Sequence, residues 1–200
     1  MVGEAQRMVG QYGFGSIKLK GGVFAPEVEI DALLALRAAF PGMPLRIDPN
    51  GGWSVETTRR VLPALAADGL LEYLEDPVST LQEMGAVAKF ANGMPLATNM
   101  VTIAFGHIPE SVRLGAVQVI LSDHHYWGGL RATQQLAAIG RTFGIGISMH
   151  SNSHLGISLA AMTHVGVTIP NLQYACDTHY PWQVDEVITG GKLQIQGGQL

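Results

Sequence analysis

The chain has 200 residues, 47% of them apolar and 14% charged, with a net charge of −4 and one cysteine. These figures indicate one globular domain with a large core. They argue against a nucleic-acid partner, since no basic stripe could neutralise phosphates. They also argue against a membrane span, since no apolar run reaches about 18 residues. Cys176 has no partner for an internal disulfide and fits a reducing, cytoplasmic compartment.

Short apolar runs alternate with helical patterns along the whole chain. The patterns predict helices at residues 4–12, 26–40, 54–69, 81–90, 109–114, 130–143 and 155–165. They predict strands at residues 15–20, 45–48, 71–74, 95–98, 116–121, 145–149 and 172–175. Pro63 should kink or divide the third helix, and a hairpin is expected around Gly190 and Gly191.

Strands that alternate with helices through short loops predict a parallel sheet. A closed (β/α)8 barrel takes about 250 residues and eight strands, so seven strands favour a TIM-type barrel without its first strand. We therefore expect residues 1–200 to be a single barrel domain and a fragment of a longer protein. A doubly wound open sheet is the alternative, but it would place its site at one switch point.

Polar residues stand at the ends of six consecutive predicted strands. The first strand carries two lysines, and the following residues come at steps of about 24–30 residues, the length of a βα unit. The set is Lys18 and Lys20, then Asp48, Glu75, Asn99, Asp123 and His150. Since all strand ends of a barrel meet at one rim, this spacing predicts an active site.

Three of these residues, Asp48, Glu75 and Asn99, offer oxygen ligands from neighbouring strand ends. Oxygen ligands without cysteine or clustered histidine suit Mg²⁺ better than zinc. Two carboxylates balance the charge of the ion, and the amide adds none, which leaves room for a substrate carboxylate. Each residue taken alone could equally be a helix cap or a loop acid.

The remaining members of the set predict acid–base chemistry. Lys18 and Lys20 point to the same side of their strand, and two close ammonium groups should lower each other's pKa. The alternative is a solvated pair on an edge strand. Asp123 stands one repeat before His150, and a carboxylate behind an imidazole fixes its tautomer. The other histidines (His107, His124, His125, His154 and His164) have no such partner by spacing and are expected to be structural or to support a site residue without touching the substrate.

Five motifs in this order resemble the enolase superfamily, and specifically its glucarate dehydratase group. They are Lys18-x-Lys20, Asp48-Pro49-Asn50, Glu75-Asp76-Pro77, Ala97-Thr98-Asn99-Met100 and His150-Ser151-Asn152. Asn99 carries much of the resemblance, because many superfamily members have an acid there. The chain departs from the family in having His124 where relatives often have proline. The N-terminal capping domain of the family is also not found in it.

The resemblance implies a role for each residue. Lys20 would be the base on one face of the substrate, Lys18 would hold its carboxylate, and His150 with Asp123 would act on the other face. Asp48, Glu75 and Asn99 would bind Mg²⁺. The substrate contacts would come from Lys18, Asn50, Asn99, Ser151, Asn152 and His179. The implied reaction removes a proton α to a carboxylate and eliminates water to give a keto-deoxy sugar acid.

The leading hypothesis is thus a Mg²⁺-dependent acid-sugar dehydratase, a lyase that acts on D-glucarate or a similar diacid. A racemase or epimerase is the alternative among enzymes, because bases on both faces also suit 1,1-proton transfer. A third possibility is a catalytically inactive polypeptide that keeps only the fold or the binding of metal. Assembly into a homo-oligomer is possible under each reading.

Overall fold

The chain alternates strands and helices in a computed structural model that describes residues 1–150 and 153–200. The helices are α1 (Val2–Tyr12), α2 (Pro26–Ala39), α3 (Val55–Ala66), α4 (Leu81–Ala88), α5 (Ile108–Leu114), α6 (His124–Trp127), α7 (Leu130–Phe143) and α8 (Gly156–Gly166). The strands are β1 (Ile17–Lys20), β2 (Leu45–Asp48), β3 (Tyr73–Glu75), β4 (Leu96–Thr98), β5 (Val119–Ser122) and β6 (Gly146–Met149). Short 3₁₀ turns lie at Ala67–Gly69, Phe105–His107 and Tyr180–Trp182.

The six strands form one parallel sheet in the order β1-β2-β3-β4-β5-β6. Each neighbour is the next strand in the chain, as in a barrel and unlike a doubly wound sheet, where the order reverses. Within the described residues no strand pair joins β6 back to β1. The α/β fold is therefore an incomplete barrel, as expected, and its strand ends meet at one rim.

Alternation along the strands creates two apolar layers. Outward-facing residues such as Leu74, Leu96 and Ile120 join the large cluster under the helices. Tyr73 and Val119 belong instead to a small cluster on the inner face of the sheet. Since side chains point to opposite faces at successive positions, Glu75 follows Tyr73 onto the inner face. The pleat thus directs the strand-end polar residues inward.

Helix ends follow the local sequence. Ser54 caps α3 by accepting a hydrogen bond from the Thr57 amide at 3.0 Å, and Thr80 forms a capping box with Glu83 at the start of α4. The expectation that Pro63 would divide its helix is wrong, because Val55–Ala66 is a single helix with Pro63 inside it. That helix ends at Ala66, and a separate 3₁₀ turn leads to Gly69.

The seventh predicted strand, at residues 172–175, is wrong as a strand. Leu172 makes only an isolated bridge to Ile147. The Gln173 amide donates to the Ile147 carbonyl at 3.1 Å, and the next such bond joins the Asp177 amide to the Met149 carbonyl at 3.0 Å. Between these two bonds the segment advances four residues while β6 advances two. The two extra residues prevent a regular ladder of hydrogen bonds.

The Ala175 carbonyl of this segment accepts from side chains instead of from a neighbouring strand. The Ala175 carbonyl accepts from the Arg46 guanidinium at 2.8 Å and from the Ser148 hydroxyl at 3.0 Å. Arg46 is buried inside the sheet, where its guanidinium also lies 4.6 Å from the centre of the Tyr73 ring. Interior polar contacts thus fix the segment that carries Asp177.

The C-terminal tail packs against α1 instead of forming the predicted hairpin. The Gly198 amide donates to the Tyr12 carbonyl at 2.7 Å, and the indole of Trp182 donates to Glu4 at 3.4 Å. A single antiparallel bridge joins Gln196 to Gln199, so the hairpin expected around residues 190–191 is wrong. Among the residues with described positions, no helix is long and apolar enough to cross a membrane.

Candidate active site

The strand ends bring the predicted polar residues to one rim of the sheet. The registers place Lys20 beside Asp48 on β1 and β2, and Glu75 beside Ala97 on β3 and β4. Asn99 directly follows β4, while Asp123 follows the Ser122 end of β5 and His150 the Met149 end of β6. These side chains come from six strands, which explains their spacing of one βα unit in the chain.

Lys18 is the buried cation of the site, with a side chain only 9% exposed. Its ammonium donates to both carboxylate oxygens of Glu75, at 2.9 and 3.0 Å. It also lies 2.5 Å from Asp177 and 3.8 Å from Asp48. Burial alone would lower the pKa of Lys18, but the three carboxylates outweigh it and raise the pKa. The expectation of a lowered pKa at this lysine is therefore wrong, because anions surround it.

Lys20 is partly exposed and reaches over the end of β2. It pairs with the Asp48 carboxylate and donates to the side-chain oxygen of Asn50 at 3.1 Å. The other oxygen of Asp48 accepts from the Asn50 amide at 2.9 Å. Asn50 has a φ of 52°, in the left-handed region that Asn tolerates better than most residues. This turn brings Asn50 next to Lys20.

Asp76 holds Asn99 in place, a role that the spacing of the motifs did not reveal. Its carboxylate accepts from the Thr98 hydroxyl and, at 2.8 Å, from the Asn99 amide. Burial raises the pKa of Asp76 to about 7, against the opposing effect of these two hydrogen bonds. A motif residue next to Glu75 therefore fixes the loop after β4.

The Asn99 side chain has an unused oxygen. Its nitrogen lies 3.4 Å from Nε2 of His150, while its buried Oδ1 has no hydrogen-bond partner among the residues at 1–150 and 153–200. A buried polar atom without a partner calls for a ligand or an ion. With the fully buried carboxylates of Asp48 and Glu75, this oxygen makes a donor set of the kind that Mg²⁺ prefers. The residues present thus fit the ion.

Burial and neighbouring acids favour the neutral form of Glu75. Its burial raises its pKa well above the ordinary value, the Lys18 ammonium opposes the shift, and the nearby carboxylates of Asp48 and Asp177 add to it. Such clustering of acids in a buried place is typical of a site that binds a cation.

His150 and Asp123 form the predicted pair. Nδ1 of His150 lies 2.9 Å from Oδ2 of Asp123, and both side chains are buried. Because a carboxylate can only accept, Nδ1 must carry the proton, which leaves the lone pair on Nε2, 3.4 Å from the side-chain nitrogen of Asn99. The imidazole is therefore oriented for proton transfer at Nε2.

Asp177 is a site residue that sequence reasoning did not assign. It pairs with Lys18, and ligand atoms of Glu75, His150 and Asp177 lie within 4.8 Å of one another. This trio is a second possible set of metal ligands, which shares only Glu75 with the predicted one. Asp177 could have been found from its position two residues before His179, beyond the last predicted strand.

The remaining residues predicted to contact the substrate are His179, Ser151 and Asn152. His179 is half-buried; burial lowers its pKa, and the charges of Lys20, His150 and Lys18 add to this against the pull of Asp177. It therefore lies within electrostatic range of the site. Ser151 and Asn152 lie outside the described residues.

One histidine expected to have no carboxylate partner does have one. Nδ1 of His125 lies 3.5 Å from Oδ1 of Asp123, so that expectation is wrong. The short helix α6 turns the chain immediately after Asp123 and brings His125 back beside it, which spacing by strand repeat could not show. His154 instead meets the Thr178 hydroxyl at 3.1 Å.

Comparison with known proteins identifies the family. A model described as "Enolase C-terminal domain-like" matches residues 1–200. The chain belongs to the enolase superfamily. It is 59% identical over 200 residues to a probable glucarate dehydratase of Streptomyces coelicolor. The aligned region covers all of this chain and 46% of that protein. The resemblance predicted from the five motifs is confirmed.

Solved structures of the enolase superfamily share its fold closely. An enolase of Pseudomonas fluorescens with bound magnesium, potassium and tartrate is 57% identical, with a TM-score of 0.94 over 98% of this chain and 46% of that one. An isomerase of Streptomyces coelicolor is 40% identical, with a TM-score of 0.89 over 99% of this chain and 52% of that one. The chain thus spans about half the length of these relatives.

Proposed function

We propose that this superfamily member is the barrel part of a Mg²⁺-dependent acid-sugar dehydratase that acts on D-glucarate or a similar diacid in the cytoplasm. The observation that carries the proposal is the order of contacts across the site. Lys20 pairs with the Asp48 carboxylate and Lys18 donates to the Glu75 carboxylate. His150 contacts the side-chain nitrogen of Asn99. The proposed base and acid therefore stand at opposite ends of the three proposed ligands.

Asp48, Glu75 and Oδ1 of Asn99 would hold Mg²⁺. When bound, the ion supplies Lewis-acid stabilisation of negative charge on the substrate carboxylate. The likeness to a probable glucarate dehydratase and to a structure that contains magnesium and tartrate supports this assignment. The alternative trio of Glu75, His150 and Asp177 would occupy the imidazole with the metal and leave no acid for the elimination.

The chain's own residues would perform the proton transfers. Lys20, in its neutral form, takes the proton from the carbon α to the carboxylate, and Lys18 binds and orients that carboxylate. Nε2 of protonated His150 then donates to the β-hydroxyl, the carbon–oxygen bond breaks, and water leaves. The enol that remains becomes the keto-deoxy sugar acid. His179 and Asn50, together with Ser151 and Asn152, would contact the hydroxyl groups or the distal carboxylate.

A 1,1-proton transfer, as in a racemase or epimerase, is the second candidate. The same pair of bases would serve it, and the similarity to an isomerase of Streptomyces coelicolor favours it. The two reactions differ in whether the β-hydroxyl leaves. Product analysis therefore separates them.

The test is incubation of the chain with D-glucarate and Mg²⁺ in D₂O, followed by NMR. We expect deuterium at an α-carbon of recovered D-glucarate together with a keto-deoxy acid. Lys20→Ala should lose both signals, whereas His150→Asn should lose the keto-deoxy acid. Exposed Lys89→Ala is the matched control and should behave as wild type. An epimer without keto acid would favour the second candidate. No exchange while calorimetry shows bound Mg²⁺ would contradict a catalytic role.

A further inference from the structure

Asp123 has two buried carboxylate oxygens, but the pair with His150 uses only one of them. Oδ2 accepts from His150 at 2.9 Å, whereas Oδ1 has no hydrogen-bond partner among the described residues. Buried carboxylate oxygens are almost always satisfied by a donor. Nδ1 of His125, at 3.5 Å, is the donor placed to serve it.

The His125 ring is held from its other side by α8. Its Nε2 lies 2.6 Å from the hydroxyl of Ser158, the third residue of that helix. The same hydroxyl lies 3.3 Å from Nε2 of His124, and the two imidazole rings stack with centroids 4.1 Å apart. A serine on one helix thus fixes two histidines on another.

The contacts of this group allow two directions, and only one of them gives Asp123 a donor. In that direction Nδ1 of His125 carries a proton toward Asp123, which only accepts, and its Nε2 accepts from the Ser158 hydroxyl. The Ser158 oxygen then accepts from Nε2–H of His124, which leaves Nδ1 of His124 without a proton. That nitrogen is indeed buried with no hydrogen-bond partner among the described residues. Burial lowers the pKa of His124, consistent with a neutral ring.

We propose that His125 is a positioning residue for the Asp123–His150 pair, and that Ser158 sets the tautomer in which His125 does so. Asp123 can turn about its terminal bond unless both oxygens are held. With His125 on Oδ1, the carboxylate presents Oδ2 to His150, and Nε2 of His150 stays directed at the substrate. The proposal rests on the proposed function for its catalytic consequence, but not for its geometry.

The geometric part is tested on the wild-type chain by ¹H–¹⁵N correlation spectroscopy of the imidazole groups. We expect His125 as the Nδ1–H tautomer, and a shift toward the Nε2–H tautomer in Asp123→Asn and in Ser158→Ala. Exposed His164 should not change in either variant. A His125 that is predominantly Nε2–H, or one that ignores both substitutions, overturns the proposal even if the chain shows no dehydratase activity.

The catalytic part is tested by the rate of keto-acid formation from D-glucarate. His125→Ala should lower kcat by about 10-fold with KM within twofold, in the range seen when an outer partner of a functional side chain is removed. His125→Asn keeps an N–H near the position of Nδ1 and should restore most of the loss. His164→Ala is the control for loss of a histidine elsewhere. An unchanged kcat, or no rescue by Asn, contradicts the proposal; no turnover by wild type contradicts only the proposed function.

Discussion

Replacing Lys18 by methionine removes the one ammonium group that the structure places among three carboxylates. Lys18 lies 2.9 Å from Glu75, 2.5 Å from Asp177 and 3.8 Å from Asp48, with only 9% of its side chain exposed. Methionine keeps the length of the side chain, so the apolar packing of the stem is largely preserved. What is lost is the charge that compensates the buried anions.

Removal of one partner from a buried ion pair costs about 3–5 kcal/mol, because the remaining charge is left uncompensated. In a chain of this size, each kcal/mol lowers Tm by about 2–4 °C, so the expected decrease is roughly 6–20 °C. The free energy of unfolding is measured by urea titration in EDTA. Lys89→Met, at an exposed position, should change the free energy of unfolding by less than about 0.5 kcal/mol.

Mg²⁺ should reverse much of this loss. An ion at one hundred times its Kd stabilises the folded state by about 2.7 kcal/mol. In the variant no ammonium competes for the Glu75 oxygens, so the stabilisation by Mg²⁺ should exceed that of wild type. A loss below about 1 kcal/mol in EDTA would refute the argument from burial. Equal stabilisation of both chains by Mg²⁺ would refute the placement of the ion beside Lys18.

Three further predictions concern His154, Cys176 and Arg46. Burial lowers the pKa of His154 to about 4 from its ordinary 6.5, so the folded state favours the neutral ring. The free energy of unfolding should therefore decrease as the pH falls from 6.5 toward 4, and less so in His154→Asn by urea titration. Burial raises the pKa of Cys176 to about 11 from 9.0; iodoacetamide should alkylate it about 100-fold more slowly in the folded chain than in urea. Arg46→Leu leaves Glu72 without its 2.6 Å partner and should cost about 3 kcal/mol, against less than about 1 kcal/mol for exposed Arg59→Leu.

The βα alternation was readable from the sequence because strands and helices have different apolar periods. Six of the seven predicted strands formed, each within a few residues of its expected position. The seventh failed because the Ala175 carbonyl binds Arg46 and Ser148, both distant in the chain. Pro63 does not divide its helix, which runs unbroken over Val55–Ala66.

The strand-end residues were predictable because parallel strands end at one rim, whatever the loops between them do. The charges around Lys18 were not predictable, since they depend on Asp177, which arrives from an irregular segment. The contact of His125 with Asp123 was missed for a different reason. It is set by one turn of helix and by Ser158 on α8, and neither follows the period of the βα unit.

The central claim, that Asp48, Glu75 and Asn99 share one divalent ion, is tested most directly by anomalous diffraction from crystals grown with Mn²⁺ in place of Mg²⁺. The account predicts an anomalous peak bonded to both carboxylates and to Oδ1 of Asn99, with His150 free of the metal. A peak held by Glu75, His150 and Asp177 without Asp48 and Asn99, or no peak at this rim, would contradict it.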